Sequence, residues 1–240
     1  MTLIRLQKFL SEAGACSRRR GEVHILAGEV TVNGKVVTTL GTKVDPDRDA
    51  VLLKRVPVQP RKRMVYVMLN KPEGIVTSCD HRGEPVVTDL VDLPQRLFPV
   101  GRLDKDSTGL LLMTNDGRIH HRLSHPSFDH EKEYDVTVLK PLADMELSAM
   151  EKGMPLSGSI TRPARIKRLS KRRFRIVLQE GRNRQIRRMV KQLGNRVVRL
   201  NRIRVADLKL GGLAKGAWRH LTDAEVRKLL KQLNLSRAHP

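Results

Sequence analysis

The chain opens with apolar residues at helical spacing. Leu3, Leu6, Phe9 and Leu10 mark one face, and Gly14 ends the helix they predict. Ser17 is placed to cap a second helix. That helix starts with Arg18, Arg19 and Arg20 and carries Val23, Ile25 and Leu26 before Gly28 stops it. The period then drops to two. Val30-Thr31-Val32 and Lys35-Val36-Val37 flank Asn33-Gly34, the strongest short-range hairpin signal. A second short strand pair around Val44 to Leu53 would complete a helix–helix–β unit over residues 1–55.

The next stretch, KRVPVQPRKR from Lys54 to Arg63, holds two prolines and five basic residues, so residues 56–64 are expected to be an exposed linker. The remainder, residues 65–240, mixes both periods. Strands are predicted at Val65–Leu69, Gly74–Thr77, Leu110–Thr114, Tyr134–Leu139, Arg173–Gln179 and Arg196–Val205. Helices are predicted at Gly117–Ser124, Ala143–Lys152, Asn183–Leu193 and Asp223–Leu233. Helices interrupt the strands without alternating strictly. The expected class is therefore α+β, with a mostly antiparallel sheet in the larger unit.

Composition narrows the partners. Over 240 residues, 47 Lys and Arg stand against 25 Asp and Glu, a formal charge of +22. Between Thr161 and Val205 there are 17 basic residues and one acid, Glu180, whereas 15 of the acids lie between Glu73 and Glu151. Such asymmetry calls for anionic partners, nucleic acid phosphates first. The longest aliphatic run, Leu110–Met113, is far short of a membrane span, and Arg5, Lys8 and Glu12 break up the first segment as a signal peptide. Cys16 and Cys79 make no ligand spacing. A disulfide scaffold or cysteine zinc site is not expected, and a reducing cytoplasm fits.

Candidate chemistry concentrates in FPVGRLDKDSTGLLLMTNDG, Phe98–Gly117. Asp104 and Asp106 lie between Gly101 and Gly109, directly before a buried strand. Three readings compete for them. Asp104, Asp106, Thr108 and Gly109 fit the first positions of a calcium loop, but Asn115 stands where the bidentate glutamate belongs. A solvated turn with Asp104 on Arg102 is the plain reading, and a catalytic carboxylate is the third. His120, His121, His125 and His130 cluster without the glutamate of a zinc helix and read as surface or RNA-facing. In EGRNRQIRRMVKQLG, Ile186, Met189, Val190 and Leu193 share a helical face. Arg182, Arg184 and Arg188 read as a solvated or phosphate-binding face. An arginine at the edge of the apolar face, as Arg187 is, either snorkels to water or neutralises a buried acid. With only two tyrosines, Tyr66 and Tyr134, there is no long stacking platform, but one ring at one site suits a single extruded base.

These strings together resemble a known family. Residues 3–50 resemble the S4 RNA-binding domain. Residues 65–222 resemble the bacterial pseudouridine synthases of ribosomal RNA, the A type that serves the small ribosomal particle and the B, E and F types that serve the large one. The likeness runs through LNKPEGIVTS, GRLDKDSTGLLLMTNDG, HEKEYDVTV, EGRNRQIRRM and RLNRIRV in the family's order. The HEKEY and RLNRIRV strings look most like the F type. The resemblance implies isomerisation of uridine to pseudouridine in RNA without cofactor or metal. It implies that Asp104 is the essential carboxylate, acting covalently or by a glycal route. Tyr134 would pack on the target uracil, and Arg187 would pair with Asp104. Arg102, Leu103 and Leu200 would line the pocket. Arg5, Lys8, Arg18, Arg19, Arg20 and Lys35 would dock RNA, with Arg182, Arg184 and Arg188 holding phosphates. The implied substrate is structured RNA, 23S rRNA first and a tRNA as a further one, acted on by a monomer. One departure is Gly21, where the family usually has an alanine-bearing helix. The rival readings are a non-catalytic S4-type RNA-binding or assembly factor and a DNA-binding protein.

The residue types suit that reaction. A carboxylate can serve as nucleophile or base, and a guanidinium about 4–6 Å away keeps it ionised under a base. Arginine suits this better than lysine because it stays charged and can bind a carboxylate bidentately.

Overall fold

The structure is a computed structural model, and it describes residues 3–59, 63–124 and 130–235. In the small unit β1 (Ile4–Arg5) leads into α1 (Leu6–Glu12). After Gly14, at φ +86°, comes α2 (Arg18–Leu26). Ser17 Oγ accepts the Arg20 backbone N–H at 3.2 Å, which caps α2. Leu6, Phe9, Leu10 and Ile25 form the core with Val30, Val44 and Val51, whereas Leu3, Val23 and Leu26 stay on the surface. Gly21 lies where the helices cross. A Cβ there would stand 3.4 Å from Gln7 Cα, an ordinary contact, so the alanine of the family pattern would fit at this crossing.

The hairpin of β2 (Val30–Val32) and β3 (Lys35–Val36) turns at Asn33 and Gly34, both at positive φ as a type I′ turn requires. The stretch from Val44 to Leu53 does not pair with itself. β4 (Lys43–Val44) returns to β1, and β5 (Val51–Leu53) joins β2. β6 (Val56–Val58) then adds to β5 after a turn at Lys54 and Arg55. Residues 56–58 are therefore sheet, not linker. Two β-branched valines flank a proline that an edge strand tolerates, because its missing N–H costs no ladder bond on the free side. Of the remaining linker, residues 60–62 lie outside the described residues.

The large unit comprises β7 (Tyr66–Lys71), β8 (Phe98–Pro99), β9 (Thr108–Thr114), α3 (Gly117–Ser124), β10 (Lys132–Val138) and α4 (Asp144–Lys152). There follow β11 (Pro155–Leu156), β12 (Ser159–Ile160), β13 (Arg165–Ser170), β14 (Arg173–Leu178) and α5 (Gln185–Gln192). β15 (Val197–Val205), β16 (Leu208–Lys209), β17 (Trp218–His220) and α6 (Asp223–Gln232) complete it. The main sheet runs β13-β14-β10-β15-β9-β7-β17. Its joints are antiparallel except that of β15 with β9, so the class is α+β as expected. β7 and β9 are buried on both faces, which explains their continuous apolar runs. Met68, Leu110 and Leu112 pack toward α3 and α6, and Val67, Leu69, Leu111 and Met113 pack on the opposite side. Val136, Val138 and Phe174 meet Met150 of α4 and Met189 and Val190 of α5.

Residues Gly74–Thr77 form a loop, not the expected strand. Gly74, at φ +86°, donates its N–H to Lys105 O at 2.8 Å, and Thr77 Oγ1 donates to Leu103 O at 2.7 Å. The backbone that a strand would need is spent on holding residues 103–105.

Candidate active site

Where β9 and β15 run parallel, the loop before β9 opens into a cleft of about 440 Å³. Gly109 makes the joint possible. It sits at φ +107°, and a Cβ there would stand 2.3 Å from Arg202 O and 2.6 Å from Asn201 Oδ1. Lys71, a residue of the LNKPEGIVTS string with no role predicted from sequence, holds the same loop from beneath. Its buried ammonium donates to Ser107 O at 2.8 Å, Pro72 O at 2.9 Å and Lys105 O at 3.3 Å. Burial pulls the Lys71 ammonium down to about 8, against the upward pull of the Asp106 and Asp104 carboxylates.

Asp104, Tyr134, Leu103, Leu200 and Arg102 all line this cleft. Leu103 and Leu200 are buried, Tyr134 and Asp104 are half-buried, and Arg102 is exposed. Asp104 is not paired with Arg102, nor with Arg187. The guanidinium beside it is Arg184, whose Nη1 lies 3.6 Å from Asp104 Oδ2. Arg184 also grips Asp106 with both Nη atoms, at 3.2 and 3.0 Å. Arg187 stands behind the loop. Its Nη2 donates to Asp106 O at 2.8 Å and Ser107 Oγ at 3.3 Å, and lies 3.3 Å from Asp106 Oδ2. The expected Asp104–Arg187 pair is thus replaced by two arginines with separate duties. The physical reason is the start of α5. Arg184 takes a left-handed backbone (φ 48°), which turns its side chain toward the carboxylates, while Arg187 lies one turn inside the helix. For Asp106, burial alone would raise the pKa, but the Arg184 hydrogen bonds and the Arg187 and Arg184 charges hold its carboxyl below the usual range.

The expected phosphate contacts divide. Arg5, Arg18, Arg19, Arg20 and Lys35 are exposed on the small unit, while Lys8 lies 3.6 Å from Glu12. Arg182 is not available to phosphate. It pairs with Glu180 at 3.1 Å and donates to Leu156 O, Ser159 O, Ser159 Oγ and Ile160 O, tying β11 and β12 to the start of α5. Arg188 donates to Ser157 Oγ at 2.7 Å. On the back of the sheet, Arg165 and Arg204 pair with Glu131, Arg204 and Arg175 with Glu133, and Arg173 with Asp135. Four arginines of the basic stripe are thus paired with the acids of β10 and the residue before it.

A second cavity, of about 730 Å³, lies between the two units. Ser17 and Arg18 line one side and Arg96 and Phe98 the other, and it meets the cleft at Thr77, Gly101 and Arg102. His120 packs edge-on against Phe98 there, while His125 of the histidine cluster lies outside the described residues. Among the described residues, no His, Cys, Asp and Glu group is placed to hold a metal ion, and no helix is long and apolar enough to cross a membrane. Cys16 and Cys79 are free thiols.

A two-helix-and-hairpin module thus precedes a mixed sheet with a carboxylate at its cleft. Residues 65–192 match the family model described as RNA pseudouridylate synthase, and residues 4–49 match the S4 domain. The chain belongs to the RNA pseudouridine synthase family, whose members are isomerases that convert uridine to pseudouridine. It is 41% identical over 235 residues to the dual-specificity RNA pseudouridine synthase RluF of Escherichia coli O6:H1, covering 97% of this chain and 80% of that one. It is 43% identical to the ribosomal large subunit pseudouridine synthase B of Bacillus subtilis, covering 94% and 95%. A solved pseudouridylate synthase structure superposes with a TM-score of 0.70 at 33% identity, covering 94% of this chain and 99% of that one.

Proposed function

We propose that the chain isomerises one uridine of ribosomal RNA, in the 23S molecule, with Asp104 as the reacting carboxylate. What carries this reading is the Asp104 carboxylate at the wall of a uridine-sized cleft, with Arg184 beside it and the Tyr134 ring on the same lining, while the other acid of that lining, Glu180, is held by Arg182. Arg184 orients Asp104, and Arg187 holds the Asp106–Ser107 backbone next to it. Tyr134 stacks on the extruded uracil, returning part of the unstacking cost, about 1–3 kcal/mol. Leu103 and Leu200 keep the pocket dry. Arg5, Lys8, Arg18, Arg19, Arg20, Lys35 and Arg188 approach the phosphates, and the cavity between the units takes the strand beside the target. The large-subunit relative supports 23S rRNA, and the relative named for dual specificity supports a further RNA, for which a tRNA is the candidate. The reaction draws on no cofactor or metal, and the chain works as a monomer in a reducing cytoplasm.

The decisive test replaces Asp104 with Asn. Pseudouridine formation should vanish, while RNA affinity stays within about threefold, because the amide keeps the shape and loses only the charge. Mapping pseudouridine at single-nucleotide resolution in RNA from cells lacking the protein identifies the target. An active Asp104→Asn enzyme overturns the mechanism, and an unchanged map overturns the enzymatic reading in favour of an assembly factor.

A further inference from the structure

We propose that the Lys132 ammonium grips a uracil oxygen of the target nucleotide and takes up the negative charge of the ring as the glycosidic bond breaks. This rests on reading the cleft as the uridine site. Lys132 stands two residues before Tyr134 on β10, so the period of the strand sends both side chains to one face, and both line the cleft with Asp104. The other cations of this lining are mostly engaged. Arg184 holds Asp106 and reaches Asp104. Arg202 donates from Nε to Leu110 O at 2.9 Å, Arg182 ties down β11 and β12, and Lys105 binds Glu84 at 2.6 Å. Among the described residues, Lys132, the solvent-exposed Arg102 and the buried Arg202 line the cleft without an acid for their charge, and of these Arg202 is held on the carbonyls of Leu110 and Arg102. The facing loop runs close to the tip of Lys132. That loop carries Gly181, where a Cβ would stand 3.7 Å from Lys132 Nζ. Burial, with the Arg202 charge added, pulls the Lys132 ammonium below its ordinary range. An unpaired, partly desolvated cation beside a reactive carboxylate is a site waiting for negative charge.

The reaction supplies that charge. The N1–C1′ bond breaks with its electron pair left on N1, so the uracil ring becomes an anion delocalised over N1, O2 and O4. The Asp104 carboxylate bonds to the electron-poor C1′. The ring turns, C5 attacks C1′, and the carboxylate leaves with its pair. The C5 proton is lost, N1 gains one, and the product is an isomer with nothing oxidised or reduced. If Asp104 takes the 2′ proton instead, the base still departs as the same anion. Neutral uracil in the ground state gains little from an ammonium at its carbonyl, whereas the anion gains much. The contact therefore lowers the barrier more than it tightens binding.

The test uses the full chain and an unmodified 23S rRNA transcript tritiated at uridine C5. Tritium release is followed in single turnover, and affinity for the same transcript is measured by filter binding. For Lys132→Met the saturating rate should fall on the order of 100-fold while Kd stays within about threefold. Lys132→Arg should recover about tenfold or more of that loss, because it returns the charge. A Met variant with an unchanged saturating rate, or one whose whole loss is a weaker Kd, overturns the proposal. So does an Arg variant no faster than Met. Absence of release by the native chain, or release undiminished in Asp104→Asn, overturns the uridine-site reading itself, and that pattern is distinct from failure at Lys132 alone.

Discussion

At the scale of single residues, the site depends on backbone contacts as much as on charged groups. Gly109 sits where β9 first touches β15, and a methyl there would lie 2.3 Å from a main-chain oxygen that cannot move without breaking the joint. Its φ of +107° is also strained for any side chain. Gly109→Ala should therefore cost at least about 3 kcal/mol of stability, by strain plus overpacking. Urea unfolding reads this directly, and a loss below about 1 kcal/mol would mean that the joint yields easily. Asp104 was legible in the sequence because its string is distinctive. Its partner was not. Arg184 and Arg187 are three apart in an arginine-rich run, and the left-handed turn at Arg184 decides which one faces the carboxylate. Lys71 was invisible for a related reason. A lysine at the end of an apolar strand reads as a strand terminus until three carbonyls are seen to converge on it.

Among elements, legibility followed burial. β9 and β7 declare themselves by uninterrupted apolar residues, and α3 has the bounds its pattern predicts. β13 and β17 do not, because β13 alternates among exposed arginines and lysines and β17 has only three residues. β6 was hidden by the prolines that suggested a linker. The last helix, α6, shows how a short element is anchored. Thr222 Oγ1 accepts the Glu225 N–H at 3.2 Å, Glu225 accepts the Thr222 N–H at 2.8 Å, and Arg219 of β17 clamps Glu225 with two bonds of 2.7 Å. Those Arg219 bonds hold the Glu225 carboxyl down at about 2, from 4.5. A depressed carboxylate stabilises the fold above its unfolded pKa and loses that contribution as pH falls through its folded one. Glu225→Gln, which keeps an acceptor for Thr222, should then cost about 2 kcal/mol at neutral pH after allowance for partial exposure. The gap to the native chain should narrow below about 4.5 and close near 2. Urea titrations along that range check it, and a gap that ignores pH would show that ionisation is not what anchors the helix.

For the whole molecule, the count of 47 Lys and Arg overstates how many cations RNA can meet. Arg165, Arg173, Arg175 and Arg204 face the acids of residues 131–135, so the back of the sheet is an ion-paired surface. Composition could not show this, because these four arginines and their acids are far apart in the chain and are brought together by strand pairing. Arg18 of α2, by contrast, stands at the rim of the cavity that joins the cleft, and Arg19 and Arg20 are exposed beside it in the chain. Affinity for RNA should therefore depend on the few and not on the many. Removing one cation from a phosphate lowers the slope of log affinity against log salt by about 0.7 to 0.9. Replacing Arg18, Arg19 and Arg20 together with Gln should lower that slope by about 2 to 3 and weaken binding most at low salt. Arg173→Gln takes one charge from the paired surface. It should shift the slope by less than about 0.5, because Asp135 has already displaced the counterion that RNA would otherwise release. Titrations of both variants against one transcript at several salt concentrations separate the two surfaces. A slope change that is the same per charge removed in both variants would mean that net charge governs binding, whatever its place in the fold.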